Sequence, residues 1–156
     1  MNKPTIYFDM DGTIADFYGV PDWRKAIDSY DVRPYKQAKG LVNLSQLARL
    51  LNKLQAQGYK VGVISWCSRT GTEEFNGEVE YTKRKWLAQH LSSVHFDDIR
   101  ILPYGTPKHT YAKPNDILFD DEYNNRKKWR QMGGCAFAEG YIFHILNELL
   151  KEKGMA

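Results

Sequence analysis

The sequence predicts an α/β protein in which a parallel sheet lies between two layers of helices, a three-layer, Rossmann-like arrangement. Short apolar runs rich in β-branched and aromatic residues alternate along the chain with longer segments of helical periodicity. The first apolar run ends abruptly in two carboxylates and a glycine. In addition, 156 residues with 42% hydrophobic content suffice for one compact domain, which we expect to span residues 1–156.

The first predicted strand covers residues 5–8, and the sequence Asp-Met-Asp-Gly-Thr follows it directly. Its composition is typical of a buried strand. Gly12 allows the chain to turn away at once. Asp9 and Asp11 are therefore expected at the carboxyl end of the strand, the edge where open α/β sheets bind their ligands.

Residues 14–40 are irregular and aromatic, and they contain two prolines and a short stretch near residues 23–27 that favours a helix. We interpret this segment as a small cap insertion after the first strand, lying above the two carboxylates. Its aromatic side chains, Phe17 among them, either face a substrate or form the small core of the insertion.

The next elements are a helix and a strand. Leucines at helical spacing predict a helix over residues 41–57, which Gly58 ends. Residues 59–64 predict a second strand that ends at Ser65. A polar loop is expected over residues 66–77.

The remaining elements continue the alternation. The spacing of Val79, Trp86 and Leu87 predicts a helix over residues 78–91. A loop rich in proline, glycine and lysine is expected over residues 103–114. The other predicted elements are strands over residues 99–102, 117–119 and 135–138, and helices over residues 125–131 and 141–151.

Composition limits the possible partners. The net charge of +3 and the pI near 8.8 suit an anionic substrate but give no strong indication of nucleic-acid binding. Cys67 and Cys135 lack metal or redox spacing, as expected for free thiols in a reducing compartment. The sequence contains no signal peptide and no long apolar segment, so we expect a cytoplasmic protein without a membrane partner.

Chemistry-bearing residues follow three of the predicted strands. The first strand leads to Asp9 and Asp11, the second ends at Ser65, and Asp120 and Asp121 follow the fourth. Clustered carboxylates repel one another unless a cation lies between them, and Mg²⁺ prefers such oxygen ligands. A hydroxyl and a lysine nearby add the groups that hold a phosphoryl group. Two residues of the loop over 103–114 compete for that role, Lys108, which we favour, and Lys113.

These motifs resemble, in their order, those of the haloacid dehalogenase (HAD) superfamily of phosphohydrolases. The matching positions are residues 9–13, Ser65 after the second strand, Lys108, and the Asp120-Asp121 pair. Within the superfamily, residues 9–17 and 81–87 are most similar to 5′(3′)-deoxyribonucleotidases.

The resemblance implies a Mg²⁺-dependent phosphomonoesterase that acts through an aspartyl-phosphate on Asp9, with a (deoxy)nucleoside monophosphate as the favoured substrate. It also implies that Asp11 is the general acid and base, and that Phe17 packs on the nucleobase. The phosphate-binding residues implied are Ser65, Trp66 and Lys108. The implied metal ligands are Asp9, Asp11 through its backbone carbonyl, and Asp121, with Asp120 as a further ligand or as a neighbour of the ligands. Which of Asp120 and Asp121 binds the ion directly does not follow from the sequence.

Two departures from the resemblance leave other functions open. The insertion, about 27 residues long, is shorter than the helical cap of those nucleotidases. A shorter cap leaves the site open to larger substrates, so the alternative is a phosphatase that acts on nucleic-acid ends or phosphoproteins. Trp66 replaces a small residue, and it either narrows the pocket, stacks on the substrate or faces outward. An alternative of another class is a non-catalytic phosphate-binding module. The physiological substrate, the pathway and the oligomeric state do not follow from the sequence.

Overall fold

A computed structural model of the chain describes residues 3–152 and contains a five-stranded sheet. The strands lie in the order β3-β2-β1-β4-β5, and every neighbouring pair is parallel. This arrangement confirms the predicted fold class. The strands are β1 (Thr5–Phe8), β2 (Lys60–Trp66), β3 (Asp98–Leu102), β4 (Ile117–Phe119) and β5 (Cys135–Phe137).

Helices cover both faces of the sheet. Successive residues of β1 point to opposite faces, so Ile6 and Phe8 belong to one hydrophobic cluster and Tyr7 to another. The first cluster packs under α3, α4 and α6, and the second packs under α5, where Trp129 is fully buried. The helices are α1 (Trp23–Asp28), α2 (Arg33–Gln37), α3 (Leu44–Ala56), α4 (Glu73–His90), α5 (Tyr123–Gln131) and α6 (Ile142–Glu152).

Four helices, α3 to α6, begin at residues other than the predicted ones, and for α3 and α4 a polar side chain caps the observed start. α3 begins at Leu44 since the side chain of Asn43 accepts a hydrogen bond from the backbone N–H of Gln46 (2.9 Å). α4 begins five residues earlier than predicted, at Glu73, since Thr72 caps it. The predicted polar loop over residues 66–77 is correspondingly shorter.

Residues 14–40 leave the carboxyl end of β1 and return to it. A short antiparallel bridge between Ala15 and Gly40 joins the two ends of this segment. Between them lie α1 and α2, and α2 packs on α4. None of the helices in the described part of the chain combines the length and the apolarity that a membrane crossing requires.

Candidate active site

The carboxyl ends of the three central strands meet at one pocket. β1 pairs in parallel with β2 on one side and with β4 on the other. Asp9 follows β1, Ser65 lies near the end of β2, and Asp120 follows β4. All three residues line a cavity of about 730 Å³ between the sheet edge and the insertion.

Lys108 links two of these strand ends. Its Nζ lies 3.0 Å from Oδ1 of Asp9 and 2.9 Å from Oδ2 of Asp120. The residue is only 2% exposed, and it belongs to a 3₁₀ turn over Lys108–Tyr111 that was not predicted within the loop. The competing Lys113 is exposed on that loop. The geometry therefore brings Lys108, and not Lys113, to the carboxylates.

Three carboxylates form a compact cluster at the base of the pocket. Oxygen atoms of Asp9, Asp120 and Asp121 all lie within 4.8 Å of one another. Gly12 makes this possible, because its φ is 78° and a Cβ at that position would clash with the carboxylate of Asp121. No side-chain oxygen of Asp11 belongs to this cluster. Its carboxylate instead accepts a hydrogen bond from a lysine of α4, which is described below.

The cluster shifts the acidity of its members. Burial, followed by the charge of Asp9, raises the pKa of Asp120 to about 6, against the opposing effect of Lys108. Partial burial removes water from the Asp121 carboxylate and, together with the negative charge of Asp9, raises its pKa to about 8. The residue is nevertheless exposed on the side that faces the pocket. Burial alone lowers the pKa of Lys108, but the attraction of Asp9 and Asp120 outweighs it and the net shift is upward.

The donor set fits a hard divalent cation. Its oxygens are carboxylates, which Mg²⁺ prefers, and they are close enough to share one ion. The four acids of the site, counting Asp11, face the ammonium groups of Lys108 and of Lys83 in α4, so two formal negative charges remain when all are ionised. A divalent cation balances that charge and removes the repulsion that raises the carboxyl pKa values.

A second buried lysine, Lys83 of α4, contacts the other side of the site. Its Nζ donates to Oδ2 of Asp11 (2.8 Å), to Oγ of Ser65 (2.8 Å) and to the carbonyl of Trp66 (2.7 Å). Only 1% of the Lys83 side chain is exposed. Burial raises the pKa of Asp11, and the charge of Lys83 acts in the opposite direction.

Reasoning from the sequence did not assign Lys83 to the site, although one signal points to it. The residue occupies the stripe of α4 that also carries Val79, Trp86 and Leu87, all of them buried. A lysine in the apolar stripe of an amphipathic helix is almost never fully buried without a partner. That position predicts a buried carboxylate opposite the helix, and Asp11 is that partner.

Phe17 lies in the insertion and is one of the residues that line the pocket. The residue is 4% exposed, and its ring stacks on Tyr35 with centroids 4.6 Å apart. Its ring also contacts Trp23 and Tyr18 at centroid distances of 5.2 Å. One face of Phe17 is thus covered from within the insertion, and its role against a nucleobase stays a prediction.

Trp66 lies beside the lysine of the acid cluster. Its Nε1 donates to the carbonyl of Thr106 (2.9 Å), which fixes the ring. Nζ of Lys108 lies 5.1 Å from the ring centroid, and the ring of the exposed Tyr104 also packs against the indole, with centroids 5.0 Å apart. Trp66 therefore forms part of the pocket wall and does not face outward.

The sequence matches no protein-family profile and no curated protein sequence. Solved structures do resemble the fold. A D,D-heptose 1,7-bisphosphate phosphatase from Burkholderia thailandensis superposes with a TM-score of 0.54 and 15% identity, over 85% of this chain and 75% of that one. A HAD family enzyme from Bacteroides thetaiotaomicron superposes with a TM-score of 0.50 and 12% identity, over 88% of this chain and 94% of that one.

The chain has a HAD-like fold. At such low identity the likeness concerns the architecture, and the chemistry must be argued from the side chains of this site.

Proposed function

We propose that the protein is a Mg²⁺-dependent phosphomonoester hydrolase that acts through an aspartyl-phosphate on Asp9. The observation that carries the proposal is the position of Asp9 at the pocket base, where it contacts Lys108 and lies within 4.8 Å of carboxylate oxygens of Asp120 and Asp121. A nucleophilic carboxylate needs such surroundings, because cationic groups must neutralise the incoming phosphoryl group. The known phosphatase among proteins of similar fold supports the same reaction class.

In the first step, a carboxylate oxygen of Asp9 attacks phosphorus and the ester P–O bond breaks. The leaving oxygen takes a proton from Asp11, for which its raised pKa is suitable. Ser65 and Lys108 donate to the phosphoryl oxygens during the transfer.

In the second step, a water molecule attacks the phosphorus of the aspartyl-phosphate. Asp11, now ionised, accepts a proton from this water, and the bond between phosphorus and the Asp9 oxygen breaks. Inorganic phosphate leaves, and both acids return to their starting states. Mg²⁺ held by these carboxylates would neutralise charge on the transferring phosphoryl group.

Asp121 is the better candidate for the third metal ligand, after Asp9 and the backbone carbonyl of Asp11. Both oxygens of Asp120 already accept hydrogen bonds, Oδ2 from Lys108 and Asn125, and Oδ1 from a backbone N–H. The carboxylate of Asp121 faces the cluster and the pocket. Asp120 then holds Lys108 in place and contributes its charge.

The pocket walls favour a flat ring as the organic part of the substrate. Tyr18 and Tyr104 line the cavity with about half of each side chain exposed, and each is supported by another aromatic ring. A stacked nucleobase gains about 1–3 kcal/mol from such a surface. We therefore propose a (deoxy)nucleoside monophosphate as the favoured substrate.

The test is a panel of phosphomonoesters assayed with Mg²⁺ and with EDTA. The panel includes deoxynucleoside and ribonucleoside monophosphates, sugar phosphates, a phosphorylated oligonucleotide and a phosphopeptide. We expect Mg²⁺-dependent turnover that is fastest with free nucleotides and is lost in Asp9→Asn. Preference for the oligonucleotide or the phosphopeptide would refute the nucleotide assignment, and phosphate binding without turnover would show a binding module.

A further inference from the structure

We propose that Lys83 is a positioning residue that holds the carboxylate of Asp11 and the hydroxyl of Ser65 in their working orientations through a single buried ammonium group. The inference rests on the hydrolytic function proposed above and adds a residue to it. Lys83 reaches the site from α4, which carries none of the residues that sequence motifs assign to the chemistry.

All three N–H donors of Lys83 have a partner. An ammonium group has three donors and no acceptor, and three oxygen atoms lie 2.7–2.8 Å from Nζ. No donor remains for a substrate oxygen. Lys83 therefore acts through Asp11 and Ser65 rather than by touching the phosphoryl group.

The contact with Lys83 also determines the direction in which the hydroxyl group of Ser65 donates its hydrogen bond. Because an ammonium nitrogen cannot accept a hydrogen bond, Oγ of Ser65 is the acceptor in this contact. The hydroxyl hydrogen of Ser65 is left to donate. Ser65 is buried at the pocket base and faces the cavity, so that hydrogen is available to a phosphoryl oxygen.

Lys108 provides the contrast within the same site. It is equally buried, but its Nζ contacts two carboxylate oxygens among the described residues. One N–H is therefore left for the phosphoryl group. The two lysines have different roles: Lys108 contacts the transferring group, while Lys83 orients the residues that do so.

The leaving group of the substrate separates positioning of Asp11 from general structural support. An alkoxide leaving group, as in a nucleotide, requires a proton from Asp11, whereas p-nitrophenolate leaves without one. Loss of a positioned general acid costs about 10²-fold or more in rate. Loss of overall structure lowers the rates with both substrates by the same factor.

The experiment compares Lys83→Met with wild type on a deoxynucleoside monophosphate and on p-nitrophenyl phosphate. We expect kcat/KM to fall by about 10²-fold with the nucleotide and by less than about tenfold with p-nitrophenyl phosphate. This parameter reports the transfer to Asp9 and departure of the leaving group, and not the later attack of water, which needs Asp11 with both substrates. The control is Lys85→Met, the same change at an exposed position two residues along α4, and it should leave both rates unchanged. Equal losses with both substrates in Lys83→Met would overturn the inference.

A measurement on wild type decides the question if Lys83→Met does not fold. Buried, hydrogen-bonded ammonium groups exchange slowly with water, so ¹⁵N NMR of the lysine side chains should show slowly exchanging signals from Lys83 and Lys108. Addition of inorganic phosphate with Mg²⁺ should shift the Lys108 signal strongly and the Lys83 signal little. Strong shifts of both would mean that Lys83 binds phosphate directly, which contradicts the proposal.

The same data distinguish this inference from the proposed function. If wild type hydrolyses no ester of the panel, or if Asp9→Asn is fully active, the hydrolytic mechanism itself fails. If wild type is active and depends on Asp9, but Lys83→Met loses both activities equally, only the role of Lys83 fails.

Discussion

Lys108 and Asp9 form an ion pair at the base of the pocket, with Nζ 3.0 Å from Oδ1, although they lie 99 positions apart in the sequence. Both residues are buried. The same ammonium also contacts Asp120, so one lysine stabilises two carboxylates that water reaches poorly. This contact joins the loop after β3 to the ends of β1 and β4.

Lys108→Met should therefore lower both stability and activity. Removing one partner of a buried ion pair leaves an uncompensated charge, which costs about 3–5 kcal/mol. Loss of a donor to the transferring group should lower kcat by about 10²–10³-fold. Urea denaturation in EDTA and steady-state kinetics measure the two effects. Lys113→Met, at an exposed position of the same loop, is the control and should change neither quantity.

Asp121→Asn should weaken Mg²⁺ binding by about tenfold or more, since a neutral amide is a poorer ligand than a carboxylate. Isothermal titration calorimetry measures the affinity. Glu122→Gln removes the same charge one position along the chain and should have a much smaller effect. Equal effects of the two substitutions would show that Asp121 acts only through its charge.

The stability of the metal-free protein should fall as the pH rises from about 5 to about 8. Folding raises the pKa of Asp120 to about 6 and that of Asp121 to about 8, so the folded state binds more protons than the unfolded state throughout this range. The free energy of unfolding decreases with pH wherever the folded state holds more protons. Lys108 does not change this sign, because it stays protonated over the whole range.

Mg²⁺ should reverse this trend. The ion binds the ionised carboxylates, so the stabilisation that it gives should increase over the same pH range. Thermal unfolding at several pH values, with Mg²⁺ and with EDTA, measures both trends. In Asp121→Asn the pH dependence in EDTA should be weaker, and an unchanged slope would show that the cluster is not its source.

The sequence was sufficient to predict the fold and the meeting of Asp9 with Asp120 and Asp121, because both depend on strong local patterns. Short apolar runs identified the five strands and helical spacings identified the longer helices, although α2 was not predicted. Parallel strands bring their carboxyl ends to one edge. The pair Asp120 and Asp121 could be placed near Asp9 for this reason alone. The family resemblance then suggested a role for each residue.

Other features depend on tertiary contacts that spacing does not encode. The 3₁₀ turn that buries Lys108 forms inside a loop without periodicity. The partner of Lys83 lies 72 positions away, so the identity of that partner follows only from the packing of α4 on the sheet. Helix starts differed from prediction where a single side chain, such as Thr72, satisfies a backbone N–H.

Gly12→Ala should disrupt the carboxylate cluster. The residue has a φ of 78°, where an L-residue loses about 1–2 kcal/mol, and an added methyl group would displace Asp121. We expect lower stability together with weaker Mg²⁺ binding. Gly140→Ala is the control, because a Cβ there meets no atom within 4 Å. Unchanged Mg²⁺ affinity in Gly12→Ala would contradict the proposed close approach of Asp121 to the backbone.

The most direct test of the hydrolytic mechanism is to quench the protein in acid during turnover with Mg²⁺ and to analyse its peptides by mass spectrometry. The account predicts a peptide that contains Asp9 and carries one phosphoryl group, which forms in wild type and not in Asp9→Asn. Turnover in wild type without this adduct, or a phosphoryl group on another residue, would contradict Asp9 as the nucleophile.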